Sequence, residues 1–493
     1  MRNIWSSMEL DVKYQVWTKH LTFLERPRVM LRDRYESDPA FWAIIERQAL
    51  KMEPELAVID HILEDEDLYQ RIKADLAQHR PKTLLTGRNS TPVEVIIRML
   101  AVKRLFGFSY AETEYHVRDS LILRWFCRVY FQPVLDHSNL NKWALLIQPD
   151  TLHAFNDRVT ALASQLKVTR GRKLRTDGTV IESNIRYPSD SSLLADGVRV
   201  LSRTLKRAKT LLTTNTDLAA TTFRDRSRSA RQQARRIADV ARKRGDAARA
   251  SLKRQYQRLI NTTRASLTQA RQVLEVLDTE TSGQGQPLVK TLKTFIPRVE
   301  QVIQQTVQRV LQDQSVPAQE KLVSLFEPHT AIIRRQKLHK PTEFGHKVWL
   351  DEVDGGIVSD YRILEGNPRD HDQWIPSLEH HVQQFGTPPD QASGDRALYS
   401  PDNEAYATQL GVKRVILPKP GHKSAERRAH EHQAWFKRGR RFHAGVEGRI
   451  SVLKRKHDLG RCLDHGEDGF GRWVGWGIIA GNLSVIGAAL AQQ

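Results

Sequence analysis

Three acidic residues stand where a carboxylate can do more than cap a turn or pair with a cation. Asp177 lies in the strand-like stretch Leu174-Arg175-Thr176-Asp177-Gly178-Thr179-Val180-Ile181, and the glycine after it lets backbone or substrate come close. Asp395 lies in Ala392-Ser393-Gly394-Asp395-Arg396-Ala397-Leu398-Tyr399, ahead of a helix expected to start near Pro401. Glu447 lies in Arg440-Arg441-Phe442-His443-Ala444-Gly445-Val446-Glu447-Gly448-Arg449-Ile450-Ser451-Val452-Leu453-Lys454-Arg455. If that segment is helical, Lys454 stands two turns beyond Glu447, because seven steps of about 100° fall only ~20° short of two full turns. One helix face then offers a carboxylate to a metal and an ammonium to a phosphate. Mg2+ takes oxygen ligands and is commonly held by few carboxylates. Two such ions about 3.5–4 Å apart activate the attacking oxygen and stabilise the leaving one at a phosphodiester.

Other residues compete for such roles. Glu182, Asp351, Asp354 and Asp360 are further acids near the same strands. Asp351 and Asp354 fall at the end of an expected hairpin and read as turn-formers. Cys462-Leu463-Asp464-His465 with His457 offers one Cys and two His, too few for a structural zinc site. Cys127 and Cys462 are the only cysteines, which excludes a disulfide scaffold and fits a reducing compartment. Trp125, Phe126, Tyr130 and Phe131 read as core rather than as stacking platforms for bases.

The elements that must position these groups differ along the chain. Residues 1–165 read as helical. Thr91-Pro92 is an expected N-cap with proline at the first helical position, followed by Val95, Ile96, Met99, Leu100 and Val102. Gly107-Phe108-Ser109 ends that helix, and Ser109 caps the next, from Tyr110 toward Val117. A third is expected after Ser138, with Leu140, Trp143 and Leu146. The region near 91–147 is compatible with a helix-turn-helix DNA reader, although an ordinary helical bundle is the more common outcome of such a pattern. Strands are expected over Arg172 to Ile181, Lys347 to Asp351, Gly356 to Leu364 and Val412 to Leu417, with Asp354-Gly355-Gly356 at a turn. One sheet is therefore interrupted: one strand precedes a long helical segment and the rest follow it.

That segment carries the charge. The 493 residues hold 77 Lys+Arg and 57 Asp+Glu, a net +20 with a pI of about 9.9. Residues 201–271 alone hold 19 Lys+Arg against Asp217, Asp225, Asp239 and Asp246, a net +15, leaving +5 for the other 422. The excess points to a polyanion: nucleic acid first, an anionic membrane surface second. Apolar residues recur in steps of three and four at Val198, Leu201, Leu205, Ala208 and Leu212. They return at Leu252, Tyr256, Leu259, Thr263, Leu267, Ala270, Leu274 and Leu277, and again at Leu288, Leu292, Phe295, Val299 and Val302. Ser282-Gly283-Gln284-Gly285-Gln286-Pro287 reads as a turn, and Pro297 is expected to kink or interrupt the last helix. The pattern predicts an antiparallel helical hairpin or coiled coil. These helices lack the broad aromatic face of a membrane-surface element.

Two stretches bear on membranes. Trp473 to Gln493 is uncharged but holds Gly475, Gly477, Gly481, Asn482 and Gly487, so it reads as a buried core helix; a span wants ~20 solidly apolar residues. Glu9, Asp11 and Lys13 interrupt the apolar stretch that a signal peptide requires, so a cytoplasmic location without membrane partners is expected.

Taken with their contexts, the three acids resemble the catalytic set of the DDE transposases of bacterial insertion sequences. Glu447-x6-Lys454 matches the end of that superfamily's Y-x2-R-x3-E-x6-K pattern, Asp177-Gly178-Thr179 resembles the first catalytic Asp, and Gly394-Asp395-Arg396 resembles the second. Thr342-Glu343-Phe344-Gly345-His346-Lys347-Val348 and Gly366-Asn367-Pro368 resemble the strand region between them. Thr91 through Arg118 is similar to the helical domain these enzymes use on transposon ends, and Gly475-Trp476-Gly477-Ile478-Ile479-Ala480-Gly481-Asn482-Leu483 matches in style. The resemblance covers most of the chain outside the basic segment and points to the loosely classified insertion-sequence group. The pattern's Arg falls at His443 and its Tyr at Arg440; Arg440 and Arg441 are the nearest substitutes. Asp395 and Glu447 are only 52 residues apart, so the large insertion lies in the 218 residues between Asp177 and Asp395.

The resemblance implies an α/β ribonuclease-H-like catalytic domain interrupted by a long coiled-coil-like helical insertion, behind an all-α DNA-binding region. The expected division is 1–165 for DNA binding, 166–197 for the first part of the catalytic domain, 198–335 for the insertion and 336–493 for the second part. Asp177, Asp395 and Glu447 would hold two Mg2+ ions, with Mn2+ as a substitute. Lys454, Arg449, Arg455, Arg440 and Arg441 would contact DNA. The implied activity is cleavage of double-stranded DNA at terminal inverted repeats and strand transfer into target DNA, by a homodimer or larger assembly. The alternatives are a non-catalytic DNA-binding protein derived from a transposase, and a ribonuclease-H-fold nuclease acting on RNA or branched DNA.

Overall fold

The computed structural model describes residues 31–79, 90–212, 223–279, 283, 285–334 and 341–492. Glu9, Asp11, Lys13, Asp217, Ser282 and Gln284 lie outside the described residues.

The N-terminal region is helical: α1 Pro39–Arg47, α2 Pro54–Ile62, α3 Glu66–His79, α4 Val93–Phe106, α5 Tyr110–Asp119, α6 Leu121–Phe126, α7 His137–Ala144 and α8 Pro149–Gln165. The expected Thr91 cap is not made. Pro92 takes the cap position, and the free N–H groups of Val93 and Glu94 go to the carbonyls of Arg32 (2.9 Å) and Asp33 (3.1 Å). A neighbouring chain segment thus replaces the Thr hydroxyl. α4 is buried from Val93 to Arg104 and ends at Gly107 in the left-handed conformation, φ 70°. Ser109 and Glu112 then start α5 with a reciprocal capping box. α7 turns His137, Ser138, Asn139, Asn141 and Lys142 to solvent. Of the four aromatics expected in the core, Phe126 and Tyr130 are buried and Trp125 packs edge-on against Trp42, whereas Phe131 is exposed.

A seven-stranded sheet follows: β1 Lys173–Ser183, β2 Ala331–Arg334, β3 Thr342–Val353, β4 Val358–Leu364, β5 Gln391–Ser393, β6 Arg414–Ile416 and β7 Arg461–Cys462. β1, β3 and β4 pair antiparallel, and β5 and β6 continue in parallel on the other side of β1. The order across the sheet is therefore β4-β3-β1-β5-β6. β2 extends the β4 edge along Thr342 to Gly345, and β7 runs beside the far end of β1. The remaining helices are α9 Asp190–Leu212, α10 Ser227–Val240, α11 Asp246–Thr279, α12 Gln286–Thr306, α13 Trp374–Phe385, α14 Pro401–Gln409, α15 Ala425–His432, α16 Ala434–Lys456 and α17 Gly466–Ala491.

Side chains alternate across the sheet. On β1, Thr176 reaches Ser377 of α13, while Arg175 reaches the Phe442 carbonyl of α16. One face thus lies under α8 and α13, the other under α16 and α17. The first face shares a continuous apolar core with the N-terminal helices, running from Leu68 and Ile96 through Phe155 to Trp349, Trp374 and Trp476. α17 is long and apolar enough to cross a membrane, yet it is packed on both sides: Trp476, Ile479 and Leu483 join this core against α2, α4 and α8, while Phe470, Val474 and Ile478 join Ile181, Val348 and Leu350 on the other face of the sheet. Its Gly475 lies against Leu152, where a Cβ would leave only 2.9 Å.

The segment between β1 and β2 departs from the expected hairpin. α9, α10, α11 and α12 surround one core of their own, from Leu194 and Leu201 through Leu259 to Leu292 and Leu325. The result is a four-helix bundle rather than two paired arms. It begins at Asp190, eight residues before the expected boundary. Pro297 does not end α12, which continues from Gln286 to Thr306. Gly197 lets α9 approach Val299 of α12, where a Cβ would leave only 2.8 Å.

Candidate functional site

β1 and β5 pair in parallel with Arg175 opposite Ser393. Asp177 lies two residues further on within β1, and Asp395 two residues further on, just past the end of β5. Asp177 is half-buried and its Oδ1 accepts the Gly178 N–H at 2.7 Å. β5 has ended by Asp395, which instead caps the short turn Arg396–Leu398, accepting from the N–H groups of Ala397 (2.9 Å) and Leu398 (3.3 Å). Burial raises its pKa; the two N–H groups oppose this, neighbouring Asp370 adds to it, and Lys347 also opposes it.

The third acid comes from α16, which lies on the Arg175 face. The helix seats itself through Phe436, Gly439, Val446 and Leu453, buried at steps of three, seven and seven. Two glycines allow the close approach. A Cβ on Gly439 would overlap Ile416 of β6, and one on Gly445 would overlap the Arg175 guanidinium. Arg175 fixes the contact. It holds Glu352 of β3 through Nε (2.7 Å) and Nη2 (2.5 Å), and the Phe442 carbonyl through Nη1 (2.6 Å). Further along, the Lys454 ammonium donates to the Val180 carbonyl at 2.7 Å. The helix therefore follows β1 in the same direction, with contacts at Arg175 and Val180. Glu447, ~3 Å beyond Gly445 along the helix axis, falls between these two contacts, near the level of Asp177, ~7 Å beyond Arg175 along the strand; among the described residues, the carboxylates of Asp177, Asp395 and Glu447 are not drawn together as one ligand group. Its side chain is exposed.

The expected cations divide. Arg440, Arg441 and Arg455 are exposed, with Lys437, Arg438 and Lys456 beside them on the same helix. Arg449 is buried and bonds Asn482 of α17 at 3.2 Å, so the structure does not bring it to the surface where a phosphate would lie. Lys454 is half-buried on the strand backbone. His443 sits against the Ser393 backbone; burial and then Arg175 bring its pKa down to about 4.

Several participants were not evident from the sequence. Arg175 and Glu352 lock α16 to the sheet, and the Lys347–Asp370 ion pair stands near Asp395. Period-two spacing from Asp177 was a signal for Arg175, but nothing local announced Glu352 or Asp370. Asp351 is not the expected turn-former. It lies within β3, 1% exposed, between Thr176 of β1 and Asp360 of β4, because β3 extends two residues past it to Val353. Burial raises its pKa, with Arg362 opposing. Asp354 does lie in the turn after β3, and its carboxylate ties that turn to the chain entering β1, accepting from the N–H groups of Arg170 and Lys173, both at 3.0 Å. Glu182 pairs with Arg461 at 2.9 Å.

Residues 45–144, from the end of α1 to the end of α7, match the family model of a transposase domain (DUF772). The chain carries a transposase domain. No curated protein and no solved structure matches the chain. The matched stretch contains buried α4, the capping box at Ser109 and the exposed polar face of α7. Asp177, Asp395 and Glu447 lie outside it.

Proposed function

We propose that the chain is a transposase that cuts double-stranded DNA at transposon ends and joins the freed end to target DNA, at a ribonuclease-H-like site formed by Asp177, Asp395 and Glu447. The observation that carries this reading is the register: Asp177 within β1 and Asp395 just past β5 each stand two residues beyond the Arg175–Ser393 pair of adjacent parallel strands, and the helix that bears Glu447 packs on both strands. The strand order β4-β3-β1-β5-β6, with three antiparallel strands and two parallel ones, supports the fold assignment. The transposase domain at 45–144 supports the substrate.

The three candidate ligands are all carboxylates, a donor set suited to Mg2+ or Mn2+. Bound ions of this kind supply Lewis-acid activation of the attacking oxygen and charge compensation for the leaving one. The chain's own residues do the positioning. Arg175 and Glu352 fix α16, and with it Glu447, at the level of Asp177. The Ala397 and Leu398 N–H groups orient Asp395. The exposed Arg440, Arg441 and Arg455 lie on the helix that carries Glu447, where a DNA backbone would run. α7 presents Ser138, Asn139, Asn141 and Lys142 as a polar face able to read base edges in a groove. Two ends must meet, so the working form is a dimer or larger assembly in the cytoplasm.

Asp395→Ala tests the reading. It abolishes cleavage of a labelled end in Mg2+ while end binding stays within a few-fold of the parent. Continued cleavage by this variant would rule out the assigned site. Absence of Mg2+-dependent cleavage by the parent on authentic ends would favour a non-catalytic DNA-binding protein.

A further inference from the structure

On the sheet face opposite Asp177, side chains from three elements converge that the proposed chemistry does not use. α8 supplies His153 and, one turn on, Asp157; β4 supplies Asp360; α13 supplies His380. His153 Nε2 lies 2.8 Å from Asp360 Oδ1. His380 Nε2 lies 3.9 Å from that oxygen and 3.8 Å from Asp157 Oδ1. The ligand atoms of His153, Asp360 and His380 all fall within 4.8 Å of one another. Metal–ligand bonds of about 2.0–2.2 Å in a tetrahedral site put ligand atoms about 3.3–3.6 Å apart. Modest side-chain shifts from the observed spacings reach that geometry.

Two further observations point to a cation. His153 turns its other nitrogen, Nδ1, to Asp157 Oδ2 at 3.5 Å, the arrangement by which an outer carboxylate orients a ligating histidine. Asp157 Oδ1 is buried without a hydrogen-bond partner. Charge balance agrees. Asp157, Asp351 and Asp360 are gathered here, and Arg362 is the one guanidinium paired with them among the described residues, 3.3 Å from both Asp351 and Asp360. Two more positive charges balance the group, and one divalent ion supplies them.

We propose that His153, Asp360 and His380 bind one zinc-type divalent transition-metal ion, with Asp157 orienting His153, and that the ion ties the helical N-terminal region to the sheet. The nitrogen-rich set selects Zn2+ or Co2+ over Mg2+ and so differs in class from the all-carboxylate set across the sheet. His153 and His380 are 32% and 20% exposed, which leaves an entry path, while Asp360 at 2% anchors the floor.

The full chain, stripped with chelator and titrated with Co2+ in excess Mg2+, tests this. The expected result is one equivalent of Co2+ with visible d–d absorption, displaced by Zn2+, and a thermal midpoint raised by Zn2+ but not by Mg2+. The spectrum persists in Asp177→Asn/Glu447→Gln and disappears in His153→Gln/His380→Gln. If the parent chain shows no stoichiometric Co2+ spectrum, or if the spectrum is lost with Asp177 and Glu447 instead, the proposal fails. The parent measurement alone decides the case where the histidine variant does not fold.

Discussion

Gly445 and Gly448 lie one turn apart on α16, and they face different surroundings. A Cβ at Gly445 would overlap the Arg175 guanidinium, whereas one at Gly448 meets nothing within 4 Å. The two substitutions to alanine therefore separate helix propensity from seating. Gly448→Ala gains about 1 kcal/mol of helix propensity and raises the thermal midpoint slightly. Gly445→Ala gains the same propensity but pushes α16 off Arg175, and Glu447 moves with it. The expected outcome is a cleavage rate at least ~10-fold lower for Gly445→Ala at unchanged end affinity, consistent with the cost of misplacing a reacting group by about 1 Å. Equal cleavage rates for the two variants would mean that the Arg175 contact does not position Glu447. Arg175 and Glu352 are themselves a lesson in legibility. The types and spacing of Asp177, Asp395, Glu447 and Lys454 could be read locally. The clamp that aligns them joins residues 177 positions apart and becomes visible only once β1 and β3 pair. The same pairing overturned Asp351: a turn-former by position in the sequence, it is a buried acid in the middle of the sheet.

Among the elements, α10 was the least legible and carries the sharpest charge. It buries only Ala230 and Ile237, too sparse an apolar stripe to announce a helix, whereas α9, α11 and α12 follow their three-and-four spacing closely. Spacing also gave stripes but not their partners, so three stripes read as a hairpin where four helices close a bundle. Pro297 is tolerated inside α12, as local propensity does not foresee. Strands were more readable, because β3 and β4 are short runs buried at nearly every residue, as a sheet with a helix layer on each face requires. On and just beyond α10, Arg228, Arg231, Arg235, Arg236, Arg242, Lys243 and Arg244 are all exposed, and none is paired in a salt bridge among those of the described residues. This ridge suits a phosphate backbone rather than base edges. Replacing Arg231, Arg235, Arg236 and Arg242 with Gln should weaken DNA binding uniformly across sequences. It should also reduce the slope of log affinity against log salt by up to about 3.6, at ~0.9 for each phosphate the protein no longer neutralises. An unchanged slope would mean that the ridge does not touch DNA, leaving subunit contact as its use.

At the scale of the whole molecule, the two cores differ in how they respond to acid. His346, His381 and His457 are 6%, 1% and 0% exposed, and burial pushes each down to about 4. They are neutral in the folded chain, while in the unfolded chain they take up protons near pH 6.5. Unfolding therefore binds protons between about pH 6.5 and 4, and stability falls as pH drops through that window. Each contributes at most about 3 kcal/mol across it, at ~1.4 kcal/mol per pH unit. Glu327 and Glu431, whose pKa values are lowered by His465 and Lys423 among others, add to the loss below about pH 4.5. His346 lies on β3, His381 on α13 and His457 directly after α16, all at the sheet or the helices packed against it. The four-helix bundle has its own core, and residues 190–325 contain no histidine. Calorimetry from pH 7 to 4.5 should thus resolve two transitions, one moving down steeply with acid and the other nearly fixed. Replacing residues 190–325 with a short Gly/Ser linker should remove the fixed transition and leave the acid-sensitive one. A single transition that shifts as a whole would mean that the bundle and the sheet unfold as one unit, and that the basic ridge is rigidly coupled to the acidic site.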